Sequence, residues 1–481
     1  MKIFSLIRNN DELVPVEVEI SLVPGLPQIQ YLGLPDQAIK ESTHRIKSAI
    51  RAQGFDFPKA QQVLVNLRPA HLKKNSRGLE LAVAFGILHE SQQIHLPEEK
   101  EIYVYGELSL RGEVFEPEDL AEDFDSSDVL TLWTGSGGQQ GTHFDRYIID
   151  ELKEIPTPTF HKGRPRHYEI LRPNFGLDLH FSEAQANLIR LISVGEHSCL
   201  LAGPAGSGKS TLAKTIHSFL KAPSTEEMHK VLKNNPTQES PFKWRPLIQP
   251  HHTTTALGLI GGGTPLFKGE VSRAHLGVLV LDELLEFHQK AQEALREPME
   301  EDCIHLRRGR YVQKFLAQAL YIATTNLCPC GDWTPKGKVV CGRSIRRCHS
   351  YLEKLSGPLV DRFHILFFTD KRDTSSKTSG QTLLAEIQSV HDWRETLSKS
   401  DVRFLTPAAR WGYQDLLTDI PSFYMQELFP KEISSKRREL ATLRVARSLA
   451  DLELSLTISP AHIEKAMKFT FQPFDALKRL G

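Results

Sequence analysis

The 481-residue chain has no net charge, because Lys plus Arg and Asp plus Glu both number 59. The balance names no partner, and any electrostatic binding surface must be local. Long apolar runs are missing as well. No stretch approaches the ~20 apolar residues that span a bilayer. The N-terminal MKIFSLIRNNDELVPVEVEI lacks an apolar core and carries charges early, unlike a secretory leader. No repeat with a period of roughly 20–50 residues appears, which argues against a solenoid or propeller. The expected location is therefore the cytoplasm. Cysteine is scarce: there are six, and four of them lie in ATTNLCPCGDWTPKGKVVCGRSIRRC, Ala323 to Cys348. Where thiols stay reduced, such clustering favours a metal over disulfides.

What is present is an ordinary globular composition, 40% apolar and 25% charged, with length for two to four domains. Residues 1–115 read as one α/β domain. VEVEISL and QQVLVNL have strand character, and IYVYGELSL closes the unit as a further strand. DQAIKESTHRIKSAIRAQG places Ile39, Ile46 and Ile50 along one helical face, with Gly54 as a stop. LELAVAFGILHES is a second, more apolar helix. Residues 116–170 turn acidic and then rich in Pro and basic residues, which predicts a connecting segment. In 171–370, apolar strands alternate with helices, and LLAG, GVLVLDE, LYIATTN and HILFF each end at a special residue. That pattern predicts a parallel sheet with its working edge at the strand C-termini. Residues 371–481 read as helical, with Ser459 as an N-cap and Pro460 at the first helical position of SPAHIEKAM.

The loop Gly203, Pro204, Ala205, Gly206, Ser207, Gly208, Lys209, Ser210, followed by Thr211, fits G-x-x-x-x-G-K-[ST] between a strand and a helix. In such a loop backbone N–H groups converge on phosphate oxygens. Lys209 would add charge at the β- and γ-phosphates, and Ser210 a hydroxyl for Mg²⁺. LGVLVLDELLEF delivers Asp282 and Glu283 at the end of a buried strand, Asp282 to hold Mg²⁺ and Glu283 to activate water. Asn326, ending a third strand, would position that water against the γ-phosphate.

These residues resemble a known family. RPLIQPHHTTTALGLIGGGTPLFKGEVSRAHLGVLVLDELLEFHQKAQEALREPMEE, then ATTNLCPCG and LSGPLVDRF, are similar to magnesium-chelatase-like AAA+ proteins of the YifB/ComM type. VEVEISLVPGLPQIQYLGLPDQAIKESTHRIKSAI and YGELSLRGEV resemble that family's Lon-protease-like N-terminal domain, and SSKRRELATLRVARSLADL its helical lid. The resemblance covers nearly the whole chain except about 116–165. It implies an ATP-driven homo-hexameric ring with nucleotide between subunits. Arg362 falls where the family places an arginine finger. Arg437 falls at the sensor 2 position of the lid, with Arg444 as the second candidate. GGGTPLFKGEVSRAHLG matches the family's helix-2 insert, and CIHLRRGRYVQKF the hairpin before Asn326. Its Arg307, Arg308, Arg310 and Lys314 would face a pore and grip DNA phosphates.

The cysteines space as Cys328-x-Cys330, then Cys341 and Cys348. Four thiolates suit a tetrahedral Zn²⁺, but free thiols remain the alternative. The family commonly ends this cluster in C-x-C, whereas here Arg343 stands two residues after Cys341. In either case the cluster would serve an ATPase site rather than form one. Three functions compete. The first is a DNA motor of the helicase or branch-migration kind, used in recombination or natural transformation and acting on single-stranded or branched DNA. The second is a chelatase-like or protein-remodelling ATPase that needs partner subunits. The third is a Lon-type protease, for which Ser42, Ser76 and Lys74 sit in no recognisable nucleophile motif.

Overall fold

Alternation of apolar and charged residues builds the N-terminal sheet. In VEVEI, Val16 and Val18 are buried, while Glu17 and Glu19 are partly exposed. A computed structural model of the chain describes residues 2–9, 12–32, 37–68, 78–95, 101–117, 120, 131–137, 144–163, 167–235, 243–263, 266–308, 311–329, 351, 357–370, 377–421 and 435–478. They form two compact units, Met1–His167 and Tyr168–Gly481.

The first unit holds an eight-stranded mixed sheet. Its strands are β1 (Lys2–Asn9), β2 (Glu12–Pro24), β3 (Ile29–Leu32), β4 (Gln61–Arg68), β5 (Glu101–Val104), β6 (Thr131–Thr134), β7 (Asp145–Ile148) and β8 (Thr159–His161). The order is β8-β7-β6-β5-β1-β2-β4-β3. Helices α1 (Gln37–Ala52) and α2 (Leu79–Glu90) share its apolar core. Every residue from Leu79 to Leu88 is buried. Gly86 lets α2 close on β2, since a Cβ there would lie 2.3 Å from Ile20 Cγ1. Glu80 is buried in α2 but satisfied, accepting from Arg45 Nε (2.9 Å) and the Leu108 backbone N–H (3.0 Å).

Two expectations are corrected here. The segment 116–170 is not merely a connection, because β6, β7 and β8 extend the sheet. Trp133 of β6 is buried and packs on Tyr147 of β7 at 4.7 Å between rings, and Tyr147 packs on Phe160 of β8 at 5.4 Å. These strands have four residues or fewer, too few for a local pattern to declare them. Nor is IYVYGELSL one strand. The backbone N–H of Tyr105 bonds to Trp133 and that of Gly106 to Gly78, which ends β5. Glu107–Leu108 then pairs with Val114–Phe115 instead.

In the second unit, a five-stranded parallel sheet is built from β9 (Cys199–Ala202), β10 (Leu247–Ile248), β11 (Val278–Leu281), β14 (Leu320–Thr325) and β15 (Ile365–Phe368). A hairpin, β12 (Cys303–Arg308) with β13 (Tyr311–Leu316), precedes β14. The sheet order is β10-β11-β14-β9-β15. Every residue of β9, β11 and β14 is buried, as a sheet covered on both faces requires. Helices α3 (Glu183–Gly195) and α4 (Lys209–Phe219) pack on one face. The same core takes in α6 (Gly380–Ser398), α7 (Lys436–Leu452) and α8 (Pro460–Thr470), so the C-terminal helices fold onto this unit. A short helix, α5 (Arg296–Glu301), leads into β12. Ser459 caps α8, its Oγ accepting from His462 N at 3.3 Å, with Pro460 at the first position. No helix among the described residues is long and apolar enough to cross a membrane.

Candidate functional site

Parallel strands that all end on one edge bring their next residues together. β9 has β14 and β15 as neighbours, while the chain leaves it for β10 at the far edge, so a crevice opens at the C-terminal ends. Register places Ala202 beside Thr325 and Leu281 beside Ala323. Gly203, Asp282 and Asn326 therefore emerge from adjacent strands.

Between β9 and α4 the chain turns through Gly206 and Gly208, whose φ values of 74° and 82° favour glycine. Gly203 is needed for space, since a Cβ there would lie 2.3 Å from Thr369 Oγ1. Pro204 and Ser207 are buried, and Ser207 Oγ binds Pro204 O at 2.8 Å and Thr369 Oγ1 at 2.7 Å. Ala205, Gly206, Gly208 and Thr211 are exposed around the loop. Lys209 is the first residue of α4 and is buried. Its ammonium donates to Gly203 O (2.9 Å), Pro204 O (2.8 Å) and Asn326 Oδ1 (3.0 Å). The loop cation and the amide at the end of β14 therefore meet directly.

Ser210 Oγ donates to Asp282 Oδ1 at 2.8 Å, and Thr324 Oγ1 donates to the same oxygen at 2.5 Å. Thr324 Oγ1 in turn accepts from Glu283 N at 3.0 Å. Glu283 is exposed and left-handed, with φ 55°. That conformation is uncommon for a residue with a Cβ, and it turns the chain sharply after Asp282. Sequence reading missed Thr324 and Thr369. Both are ordinary strand-end threonines, and their partners lie in segments distant in the sequence.

The three arginines separate. Arg362 is held by its own unit: Nε donates to Arg296 O (3.1 Å), Nη1 to Pro358 O (2.6 Å) and Nη2 to Glu300 Oε2 (2.8 Å). Arg437 pairs with the other oxygen of the same Glu300. One carboxylate of α5, unnoticed in the sequence, thus joins two residues 75 positions apart. Arg444 lies deeper, donating from Nε to Trp411 O at 3.0 Å and approaching His364 Nε2 at 3.3 Å. Burial lowers its guanidinium to about 10. Arg438, also missed, is nearly enclosed. It donates to the carbonyls of Val360 (3.4 Å), Asp361, Phe363 (2.7 Å) and Thr470 (3.3 Å), and lies 3.8 Å over the Phe474 ring.

On the hairpin, Arg307 and Lys314 are exposed, and Arg308 pairs with Tyr311 in the ladder. The Arg308 side chain and Arg310 lie outside the described residues, as do Cys330, Cys341, Cys348, Lys74 and Ser76. Cys328, three residues past the end of β14, is buried. Ser42 is buried, within 3.4 Å of Tyr31 Oη.

Comparison with known proteins agrees with this fold. The family model described as Magnesium chelatase, subunit ChlI, matches residues 178–377. A second, Subunit ChlI of Mg-chelatase, matches residues 16–121. The chain is 29% identical to the uncharacterized protein YifB of Salmonella typhimurium, over 95% of this chain and 94% of the relative. It is also 29% identical to competence protein ComM of Haemophilus influenzae, over 94% of each. YifB of Escherichia coli is 28% identical over 95% of this chain and 94% of its own length. With the parallel sheet and its glycine loop in place, these matches make the chain a member of the YifB/ComM magnesium-chelatase-like family, which is of the AAA+ ATPase type.

Proposed function

We propose that this chain hydrolyses ATP at the 203–210 loop and uses the energy to remodel DNA, as a ring-shaped homo-hexameric helicase or branch-migration motor in the cytoplasm. The observation that carries the ATPase reading is the convergence of Lys209 on Asn326 and of Ser210 on Asp282 across three strand ends. In this reading residues 171–370 are the nucleotide module and 371–481 its lid.

The site suits a nucleotide with Mg²⁺. Ser210 Oγ and Asp282 Oδ1 are hard oxygen donors 2.8 Å apart. Neighbouring oxygens of an octahedral Mg²⁺ with bonds of about 2.0–2.1 Å stand roughly 3 Å apart. When bound, the ion would neutralise phosphate charge. Lys209 would exchange its carbonyl partners for phosphate oxygens. Glu283 would take the proton of the attacking water, and Asn326 would orient that water. Arg362 and Arg437, gathered at Glu300, would approach a neighbouring subunit's nucleotide from one face, Arg362 as the finger and Arg437 as the sensor.

Two observations support DNA as the substrate. One relative is named a competence protein, and Arg307 and Lys314 stand exposed on one hairpin. The chelatase name of the family models favours the second reading, an ATPase that remodels a protein or works with chelatase partners. The discriminating experiment is ATPase turnover with single-stranded, duplex and branched DNA, in wild type and in Arg307→Ala/Lys314→Ala. DNA stimulation that the double variant loses supports the motor. Turnover indifferent to every DNA in the wild type rejects it.

A further inference from the structure

Outside the nucleotide site, a set of unlike donors meets where α5 turns into β12. Among the described residues, Glu301, Cys303 and His305 are the one group of three metal-ligating side chains whose donor atoms all lie within 4.8 Å of one another. They come from only five consecutive residues, and a sharp turn brings them together. Asp302 is left-handed, with φ 54°, and its carbonyl is held by Ala317 N at 2.8 Å. This folds the end of α5 back along the strand. Cys303 and His305 then share one strand face by alternation.

We propose that Glu301, Cys303 and His305 bind a divalent transition-metal ion, and that their donor set selects Zn²⁺. Thiolate, imidazole and carboxylate together suit zinc rather than Mg²⁺ or Ca²⁺. The spacing agrees. Cys303 Sγ lies 4.0 Å from His305 Nε2, and the donor atoms of Glu301, Cys303 and His305 all lie within 4.8 Å of one another. Bonds of about 2.0–2.3 Å in a tetrahedron separate their donors by roughly 3.3–3.6 Å. Closing Cys303 Sγ and His305 Nε2 from 4.0 Å to that separation takes about 0.5 Å.

A further observation points the same way. Glu297, one helical turn before Glu301, places Oε1 3.0 Å from His305 Nδ1 and accepts from His305 N at 3.0 Å. A carboxylate on one ring nitrogen orients a metal-binding histidine and leaves the other nitrogen to the ion. Here Nε2 is left for the metal, and Glu297 is a positioning residue. The sulfur is almost fully buried, while Glu301 and His305 are exposed, so the ion would enter from solvent with its fourth position open to water. The charges are compatible. Glu301 and a Cys303 thiolate balance the dication, and Lys314 pairs with His305 across the hairpin. An ion there would staple β12 to the helix whose Glu300 holds Arg362 and Arg437.

The test is metal uptake by the full-length, metal-stripped chain, which is independent of the ATPase reading. Co²⁺ serves as the probe through its thiolate charge-transfer band, and Zn²⁺ through competition with a chromophoric indicator. His305→Asn and Glu301→Gln change exposed side chains and should keep the fold. Each should lose one equivalent of metal and its share of the cobalt band, and so should Cys303→Ser. Glu297→Gln should retain the stoichiometry but weaken affinity about 10–100-fold. Cys341→Ser/Cys348→Ser should keep the His305-dependent equivalent. The proposal is overturned if His305→Asn and Glu301→Gln take up metal as the wild type does. It is equally overturned if the wild type takes up none.

Discussion

Arg437 and Arg438 are neighbours in the sequence with opposite surroundings, and replacing each with Ala should separate stability from turnover. Arg438 is 3% exposed and supports four backbone carbonyls, with Asp361 Oδ1 3.7 Å from its Nε. Truncating it leaves Val360 O and Phe363 O buried without this donor and removes the cation from the Phe474 ring. Leaving a buried acceptor without its donor costs about 1–3 kcal/mol, so losing the bonds to several of these carbonyls together costs about 3–5 kcal/mol. A unit the length of Tyr168–Gly481, at about 2.1 cal/mol/K per residue, loses about 1.5 °C per kcal/mol, so its Tm should fall by about 5–8 °C. Arg438→Lys should recover little, because a point ammonium cannot serve several carbonyls as the guanidinium fork does. Arg437 has a side chain 54% exposed, paired to a Glu300 that is 38% exposed. An ion pair of that kind contributes under about 1 kcal/mol, so Arg437→Ala should melt within about 1.5 °C of the wild type. If Arg437 reaches a neighbour's phosphate, its loss removes a charged hydrogen bond worth about 1.5–3 kcal/mol, and turnover should fall about 10–100-fold. Thermal melts and steady-state ATPase on the same preparations decide the matter. Equal Tm losses in the two Ala variants, or unimpaired turnover in Arg437→Ala, would refute the assignment.

Glu283→Gln should bind ATP with near wild-type affinity yet turn over slowly, because Asp282 and Ser210 are untouched; a filter-binding assay beside ATPase rates checks this, and wild-type turnover sinks it. Arg362→Ala mixed with Lys209→Ala should regain activity at intermediate ratios, since the two defects lie in different halves of a shared site; no recovery at any ratio counts against a finger supplied in trans. Acidification should destabilise the second unit. Burial lowers His197 to about 3 and, as the largest cause, His275 and His391 to about 4. Each stays neutral when folded, while the unfolded chain takes up protons below about 6.5. The stability present above that pH is therefore lost progressively down towards about 4, by up to about 1.4 kcal/mol per pH unit for each histidine. Tm should fall between pH 7 and 5, and a flat or rising Tm contradicts the reading.

Much of the candidate site was legible in one dimension because it is written locally. A phosphate loop needs glycines, a lysine and a hydroxyl within eight positions, with a strand before and a helix after. Gly203 to Ser210 satisfies that without help from the rest of the chain. Asp282, Glu283 and Asn326 declared themselves by ending apolar runs, since a doubly covered parallel strand must be apolar throughout. The helices were legible from caps and periodicity, as Ser459 and Pro460 illustrate.

Tertiary structure decided what depends on pairing between distant segments. Thr324 and Thr369 look like strand residues until β14 and β15 are placed on either side of β9. The strands in 116–170 are too short to carry a period, and they become strands by adding to an edge already formed. Arg437 and Arg438 cannot be ranked from SSKRREL, because the orientation of α7 against the 360–363 backbone and Glu300 decides which is buried. The Glu301, Cys303 and His305 cluster lies within five residues, yet only the left-handed turn at Asp302 converts that nearness into donor atoms grouped within 4.8 Å. Local composition settles which functional groups exist, but their distances and burial follow from long-range packing, which no short window of sequence contains.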